Sequence, residues 1–171
     1  FVAAQLRTLH PEADLVYFDL NKVICEYLLS VLPNRDHALH RMHFDAECRV
    51  RVETVFPEVP WYTIPIEQKG RKRMEVLRCE AGELRGRTVT MPLTLAAVLD
   101  GLRAKTLSPA LLPVYTALVP CNGLTCLGSF EQIEYLAEYR KGWAELELFD
   151  PERLASARTD ALTCGRCLDT S

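Results

Sequence analysis

Apolar residues change their spacing twice along this chain, and this change limits the folds it can adopt. In the middle, Val50, Val52 and Thr54 alternate with charged residues, the period of two that is typical of a half-buried strand. On either side of this region apolar residues recur every three or four positions, as on one face of a helix. The pattern predicts an α+β fold with N-terminal helices, a central antiparallel sheet of about four strands and a C-terminal helical lobe.

Turn-forming residues divide the middle of the chain into short strands. The predicted strands cover 48–55, 61–66, 72–79 and 86–91, and a further short one covers 144–149. Short connections favour antiparallel pairing of neighbours. Pro65 cannot donate a hydrogen bond to a neighbouring strand, so we expect its strand to lie at the edge of the sheet.

Helix signals flank this region. The predicted helices cover 14–32, 37–44, 90–105, 129–141 and a short last segment from Asp150. Thr90 is the expected N-cap of the third helix, and Gly142 is expected to end the fourth. A further helix starting near Ser108 is expected to be interrupted by Pro113.

Length and composition indicate a single globular unit. The 171 residues suit one domain over 1–171, and a hydrophobic share of 49% with 25% charged residues argues against disorder. No apolar run reaches the roughly 18 residues that span a bilayer. Because the chain begins with Phe1, we expect it to be a trimmed or processed product or a piece of a larger protein.

Two closely spaced cysteine pairs are candidates for a metal site. Cys121 and Cys126 form a C-x4-C pair, and Cys164 and Cys167 form C-G-R-C. Four thiolates in two such turns suit tetrahedral zinc. The pairs lie farther apart than in a usual zinc ribbon. We therefore expect zinc to join the two ends of a lobe over 120–171.

Other interpretations of these cysteines stay open. The C-G-R-C pair could be a redox pair or a disulfide, or its thiols could be inert. The chain has seven cysteines, so at least one is unpaired, which fits a reducing compartment. We therefore expect an intracellular location, cytoplasmic or nuclear.

Three histidines follow at intervals of three residues. His37, His40 and His43 would span about 120° of a helix. The spacing is compatible with a metal or a pH-sensing face, although the H-E-x-x-H motif of zinc proteases is absent. The simpler interpretation is a solvated helix face.

Charge is unevenly distributed along the chain, whose net charge is -3. Four cations, Lys69, Arg71, Lys72 and Arg73, are expected near the tip of a hairpin. Such a cluster can bind phosphates or another anion, or it can be a solvated loop. From position 128 onward acidic residues outnumber basic ones.

No motif of a known catalytic class is present. The chain has no P-loop, no G-x-G-x-x-G and no G-x-S-x-G. The sequence therefore favours a non-enzymatic, intracellular adaptor that binds another protein and contains a structural zinc site. The alternatives are a nucleic-acid-binding module that uses the hairpin over 69–73, and a small hydrolase with a Cys/His site assembled in space.

Overall fold

The computed structural model describes residues 8, 11, 18–68, 70–126, 130–157 and 159. Within these ranges helices and an antiparallel sheet combine in an α+β fold, as the sequence predicts. None of the described helices has both the length and the hydrophobicity needed to span a membrane.

Three helices precede the sheet. They are α1 (Leu20–Val31), α2 (Ala38–Phe44) and α3 (Ala46–Val55). Asp19 caps α1 by accepting a hydrogen bond from the Lys22 amide. His37 caps α2 and Asp45 caps α3, so each helix begins where a side chain satisfies a free amide.

The described sheet has five strands in the order β4-β3-β2-β1-β5. They are β1 (Tyr62–Gln68), β2 (Arg71–Glu80), β3 (Glu83–Arg85), β4 (Thr90–Pro92) and β5 (Ser108–Pro109). All pairings are antiparallel, and β1 and β2 form the longest ladder, from Tyr62 opposite Leu77 to Gln68 opposite Arg71.

The remaining helices follow β4. They are α4 (Leu95–Arg103), α5 (Leu111–Thr116), a π-helical turn (Ala117–Cys121), α6 (Phe130–Leu146) and α7 (Pro151–Ser156). Asp150 caps α7 with Pro151 at its first position, as predicted. Pro113 lies in the first turn of α5, where its missing amide hydrogen costs nothing, so it does not interrupt the helix.

One face of the sheet packs on the helices and the other faces outward. Tyr62, Leu77 and Leu84 point inward and are fully buried, whereas Met74 and Val76 on the other face of β2 are exposed. The core between the two layers also contains the buried indoles of Trp61 and Trp143.

The predicted strand over 48–55 is wrong, because this segment is most of α3. Cys48, Val52 and Phe56 are spaced by four residues and lie on the buried face, while Val50 is exposed. The alternation of Val50 and Val52 therefore reflects one exposed and one buried helix position. The Asp45 cap and the spacing of four were the signals for a helix.

The predicted strand over 144–149 is also wrong, because α6 continues to Leu146. Leu136, Tyr139, Trp143 and Leu146 are buried at helical spacing. Gly142 does not end the helix. It lies where α6 packs against α3, and a Cβ atom there would be 2.6 Å from the Phe56 ring and 2.7 Å from Val55.

Smaller predictions also need correction. The predicted strand over 86–91 is mostly the loop between β3 and β4, and the helix expected near Ser108 starts at Leu111 because Ser108–Pro109 form β5. Thr94, and not Thr90, caps α4, because Thr90 belongs to β4. β1 lies between β2 and β5, but β5 pairs only with Tyr62 and Thr63. Pro65 therefore lies on a part of β1 where one side is open, which is where a missing amide hydrogen is tolerated.

Gly142→Ala tests the close contact between α3 and α6. In a helix this change normally adds about 0.5–1 kcal/mol of stability. Here we expect a loss of about 1–3 kcal/mol, because the added methyl group overlaps Phe56 and Val55. Urea denaturation of the variant measures the change. Phe56→Leu removes the ring atoms, so the double variant should lose less than the sum of the single losses. A gain in stability from Gly142→Ala would contradict this packing.

Candidate functional site

The end of the β1–β2 hairpin projects beyond the helical layer. Neighbouring strand residues point to opposite faces, yet four consecutive residues of β2, Arg71 to Met74, are all exposed. Both faces of β2 are therefore open to solvent at this end, while on the paired part of β1 Pro65 and Glu67 are exposed and Ile66 and Gln68 are half-buried. Four strand residues correspond to about 13 Å of projecting ribbon. We call residues 65–68 and 70–74 the basic hairpin.

The cations of the basic hairpin are not neutralised by the described residues. The side chains of Arg71, Lys72 and Arg73 have neither an ion pair nor a hydrogen bond within the described ranges. Glu67 lies opposite Lys72 in the ladder, but the two charges are not within 4.0 Å. Lys69, the fourth predicted cation, lies outside the described residues. Three cations are thus available to an external anion.

Apolar side chains continue the outer face of the hairpin. Met74 is 55% exposed and Val76 is 36% exposed, and Pro65 lies opposite Met74. Lys72, Met74 and Val76 project from the same face of β2 because they alternate along the strand. The face therefore combines the charge of Lys72 with uncovered apolar surface, while Arg71 and Arg73 project from the opposite face.

Glu75 fixes the base of the hairpin. Its carboxylate accepts hydrogen bonds from the Thr88 amide and hydroxyl and from the Val89 amide, the last at 3.1 Å. These bonds lower the pKa of Glu75, with the Thr88 hydroxyl as the largest cause and Arg87 as a smaller one. The loop between β3 and β4 is thereby held against β2.

A second carboxylate, Glu53 of α3, holds the turn between β2 and β3. It accepts hydrogen bonds from the amides of Ala81 and Gly82 and from the thiol of Cys79. Burial is the main reason that the pKa of Cys79 rises to about 12, and the Glu53 hydrogen bond adds to it. The thiol therefore stays protonated and acts as a donor. The helices and the sheet are joined at a defined position by these contacts.

The three predicted histidines have three different environments. His37 Nδ1 accepts a hydrogen bond from the Leu39 amide, so Nε2 carries the hydrogen and points to the Tyr27 oxygen at 3.4 Å. His40 Nδ1 lies 2.6 Å from the Leu32 carbonyl oxygen and must donate to it. The His37 side chain therefore caps α2, and the His40 side chain holds α2 against the end of α1 at Leu32.

His43 is buried, so the expectation of a solvated face is wrong for this residue. Its side chain is 1% exposed. Nδ1 donates to the Leu39 carbonyl at 2.7 Å, and Nε2 accepts from the Tyr62 hydroxyl at 2.9 Å. With both ring nitrogens occupied, this histidine has no lone pair left for a metal.

Two of the four predicted zinc ligands can be located. Cys121 ends the π-helical turn and Cys126 follows in the next loop, and both are half-buried free thiols. The Tyr27 hydroxyl lies beside the Cys121 thiol, so this tyrosine contacts both Cys121 and His37. Burial raises the pKa of Cys121 to about 12. Cys164 and Cys167 lie outside the described residues.

The described residues contain no group of three or more His, Cys, Asp or Glu side chains arranged to hold a metal. The four-cysteine site stays a prediction because Cys164 and Cys167 lie outside the described residues, whereas the hydrogen bonds of His43 exclude a metal held by all three histidines. Sequence reasoning missed Glu53, Glu75 and the pair of His43 with Tyr62. Their roles depend on loops that lie far away in the sequence, and no local pattern indicates them.

Three comparisons, with protein-family models, with curated proteins and with solved structures, found no significant match to this chain.

The buried His43 predicts a specific pH dependence of stability. Burial lowers its pKa in the folded chain to about 4, from an ordinary 6.5. Between these pH values the unfolded chain binds a proton that the folded chain does not. Stability should therefore fall as the pH falls from about 6.5 to about 4, by about 3 kcal/mol. Urea denaturation at several pH values measures this loss.

Two variants isolate the contribution of His43. His43→Gln should lower stability at neutral pH but remove most of the loss in this pH window. Tyr62→Phe keeps the buried imidazole and removes only its hydroxyl partner, so it should be less stable at every pH and keep the dependence. An unchanged pH dependence in His43→Gln would show that another group is responsible.

Proposed function

We propose that this chain is a non-enzymatic protein-interaction module and that the basic hairpin is its binding element. The observation that carries the proposal is the exposure of both faces of β2 over residues 71–74, where three cations have no described partners. The expected partner is an extended protein segment that carries acidic and apolar side chains. Cations would meet the acidic groups, and Met74 and Val76 would be covered by the apolar ones.

Pairing through the backbone alone is a less suitable mode. The open side of β1 beyond Thr63 could accept another strand, but Pro65 lacks an amide hydrogen there. Two copies of the chain would also place their own cations opposite each other, which is repulsive. Recognition by side chains of an acidic partner fits both constraints.

The thiols support a role other than catalysis by cysteine. The pKa values of Cys25, Cys48 and Cys126 are raised by burial, as are those of Cys79 and Cys121. A nucleophilic cysteine needs a lowered pKa. The five described cysteines are also free, which supports the intracellular location that we include in the proposal.

Nucleic-acid binding by the same hairpin is the second candidate. One observation favours it, because a projecting two-stranded ribbon with free cations fits the major groove of DNA and its phosphates. Residues 65–74 contain no aromatic side chain, so stacking on bases has no platform there. The exposed Met74 and Val76 are explained by a protein partner and not by phosphates.

A binding assay with two probes tests the proposal. Fluorescence anisotropy compares a labelled peptide of alternating Glu and Leu with a double-stranded oligonucleotide of equal charge. We expect the peptide to bind. Arg71→Gln, Lys72→Gln and Arg73→Gln together should weaken it about tenfold, because each exposed ion pair contributes up to about 1 kcal/mol. Met74→Ser with Val76→Ser should also weaken it.

The controls separate the two partner classes. Arg35→Gln with Arg41→Gln removes two exposed arginines elsewhere and should leave peptide binding unchanged. The second candidate would be supported, and the first rejected, by two results together. The peptide would not bind, and the oligonucleotide would bind in a way that depends on the three cations but not on Met74 and Val76.

Structural zinc is a separate part of the proposal. The full chain should contain about one zinc ion when it is purified, and Cys121→Ser with Cys164→Ser should abolish it. Elemental analysis measures the content. Cys25→Ser, in α1, is the matched control and should not change it. Less than about 0.2 zinc per chain in the unaltered protein would reject the site.

A further inference from the structure

A polar pocket of about 640 Å³ opens beside the turn between α1 and α2. We call it the turn pocket. Its lining residues are Arg35, Asp36, His40, Arg41, Phe44, Asp45 and Leu95. Its volume lies within the range that small-molecule sites occupy. It is separate from the basic hairpin, and no residue lines both.

Charges of both signs line the turn pocket without neutralising each other. Arg35 and Arg41 make no ion pair within 4.0 Å in the described ranges, and the same holds for Asp36. One oxygen of Asp45 accepts a hydrogen bond from the Cys48 amide at 2.8 Å, as the cap of α3. Two guanidinium groups and one carboxylate thus remain available to a ligand.

The other walls supply a hydrogen-bond acceptor and apolar contact. Because His40 Nδ1 donates to Leu32, the neutral ring has Nε2 unprotonated and free within the described ranges. The Phe44 ring meets the His40 ring edge-on, with the centroids 5.1 Å apart. Leu95 contributes an apolar side chain from α4.

The backbone that carries these groups is held by local hydrogen bonds. The Asn34 amide donates to Val31, and the Asn34 side chain accepts from the Asp36 amide at 3.1 Å. The His37 amide donates to the Asn34 carbonyl, and the Arg41 amide donates to the His37 carbonyl. The backbone that carries Arg35 and Arg41 is therefore ordered before a ligand binds, which reduces the backbone entropy lost on binding.

We infer that the turn pocket binds a small molecule that carries an oxyanion together with an amine. Guanidinium groups recognise carboxylate and phosphate through paired hydrogen bonds, so Arg35 and Arg41 would hold the oxyanion. Asp36 would bind the amine. The two arginines and the two aspartates of the pocket cancel in formal charge, which suits a dipolar ligand better than a simple anion.

Isothermal titration calorimetry in a low-salt buffer without phosphate tests this inference. O-phosphoethanolamine and β-alanine are the dipolar probes, and they distinguish a phosphate from a carboxylate. We expect at least one of them to bind at a single saturable site. Inorganic phosphate, which lacks the amine, should bind more weakly than O-phosphoethanolamine.

Matched variants locate the site. Arg35→Gln with Arg41→Gln should weaken binding tenfold or more, because charge-assisted hydrogen bonds are lost. Asp36→Asn should weaken the dipolar probes but not inorganic phosphate. Arg71→Gln with Arg73→Gln removes two exposed arginines of the hairpin and should leave binding intact. The inference is wrong if neither dipolar probe binds saturably, or if the hairpin variant weakens binding as much as the pocket variant.

Discussion

The hydrogen bond between the Tyr62 hydroxyl and the His43 ring joins the helices to the sheet inside the core. Both side chains are buried, and the Trp61 indole packs against the imidazole with the ring centroids 4.9 Å apart. Loss of either partner would leave a buried polar atom unsatisfied, at a cost of about 1–3 kcal/mol. This contact fixes α2 over the first residue of β1 and so sets the position of the strand.

The projecting hairpin is a consequence of where that strand is fixed. β1 begins at the buried Tyr62. On its partner β2, Glu75 is the buried residue nearest to the turn, and Arg71 to Met74 extend past the helices. Glu75 and Glu53 hold the adjacent loops by hydrogen bonds to backbone amides. A rigid base with an uncovered end is suited to presenting charges to a partner without loss of order in the body of the chain.

Periodicity predicted the α+β class and the strands around Thr63 and Val76, because an alternating pattern and nearby turns are local signals. It failed over 48–55, where Val50 and Val52 mimic a strand although Cys48, Val52 and Phe56 form a helix face. It also failed at Gly142. This glycine does not end a helix but allows α6 to pack closely against α3. The cations of the hairpin were predictable because they are neighbours in the sequence over 69–73. The carboxylate contacts depend on packing between distant segments, which no single stretch of sequence records. In the turn pocket only Leu95 comes from a distant segment.

We propose that the basic hairpin is the surface that binds an acidic, apolar protein segment. The most direct measurement is a two-dimensional ¹H–¹⁵N NMR titration of the 171-residue chain with the peptide of alternating Glu and Leu. If the peptide binds there, the amide signals from Ile66 to Val76 will shift progressively and those of α6 will not. Shifts confined to other elements, or no shift at saturating peptide, would contradict it.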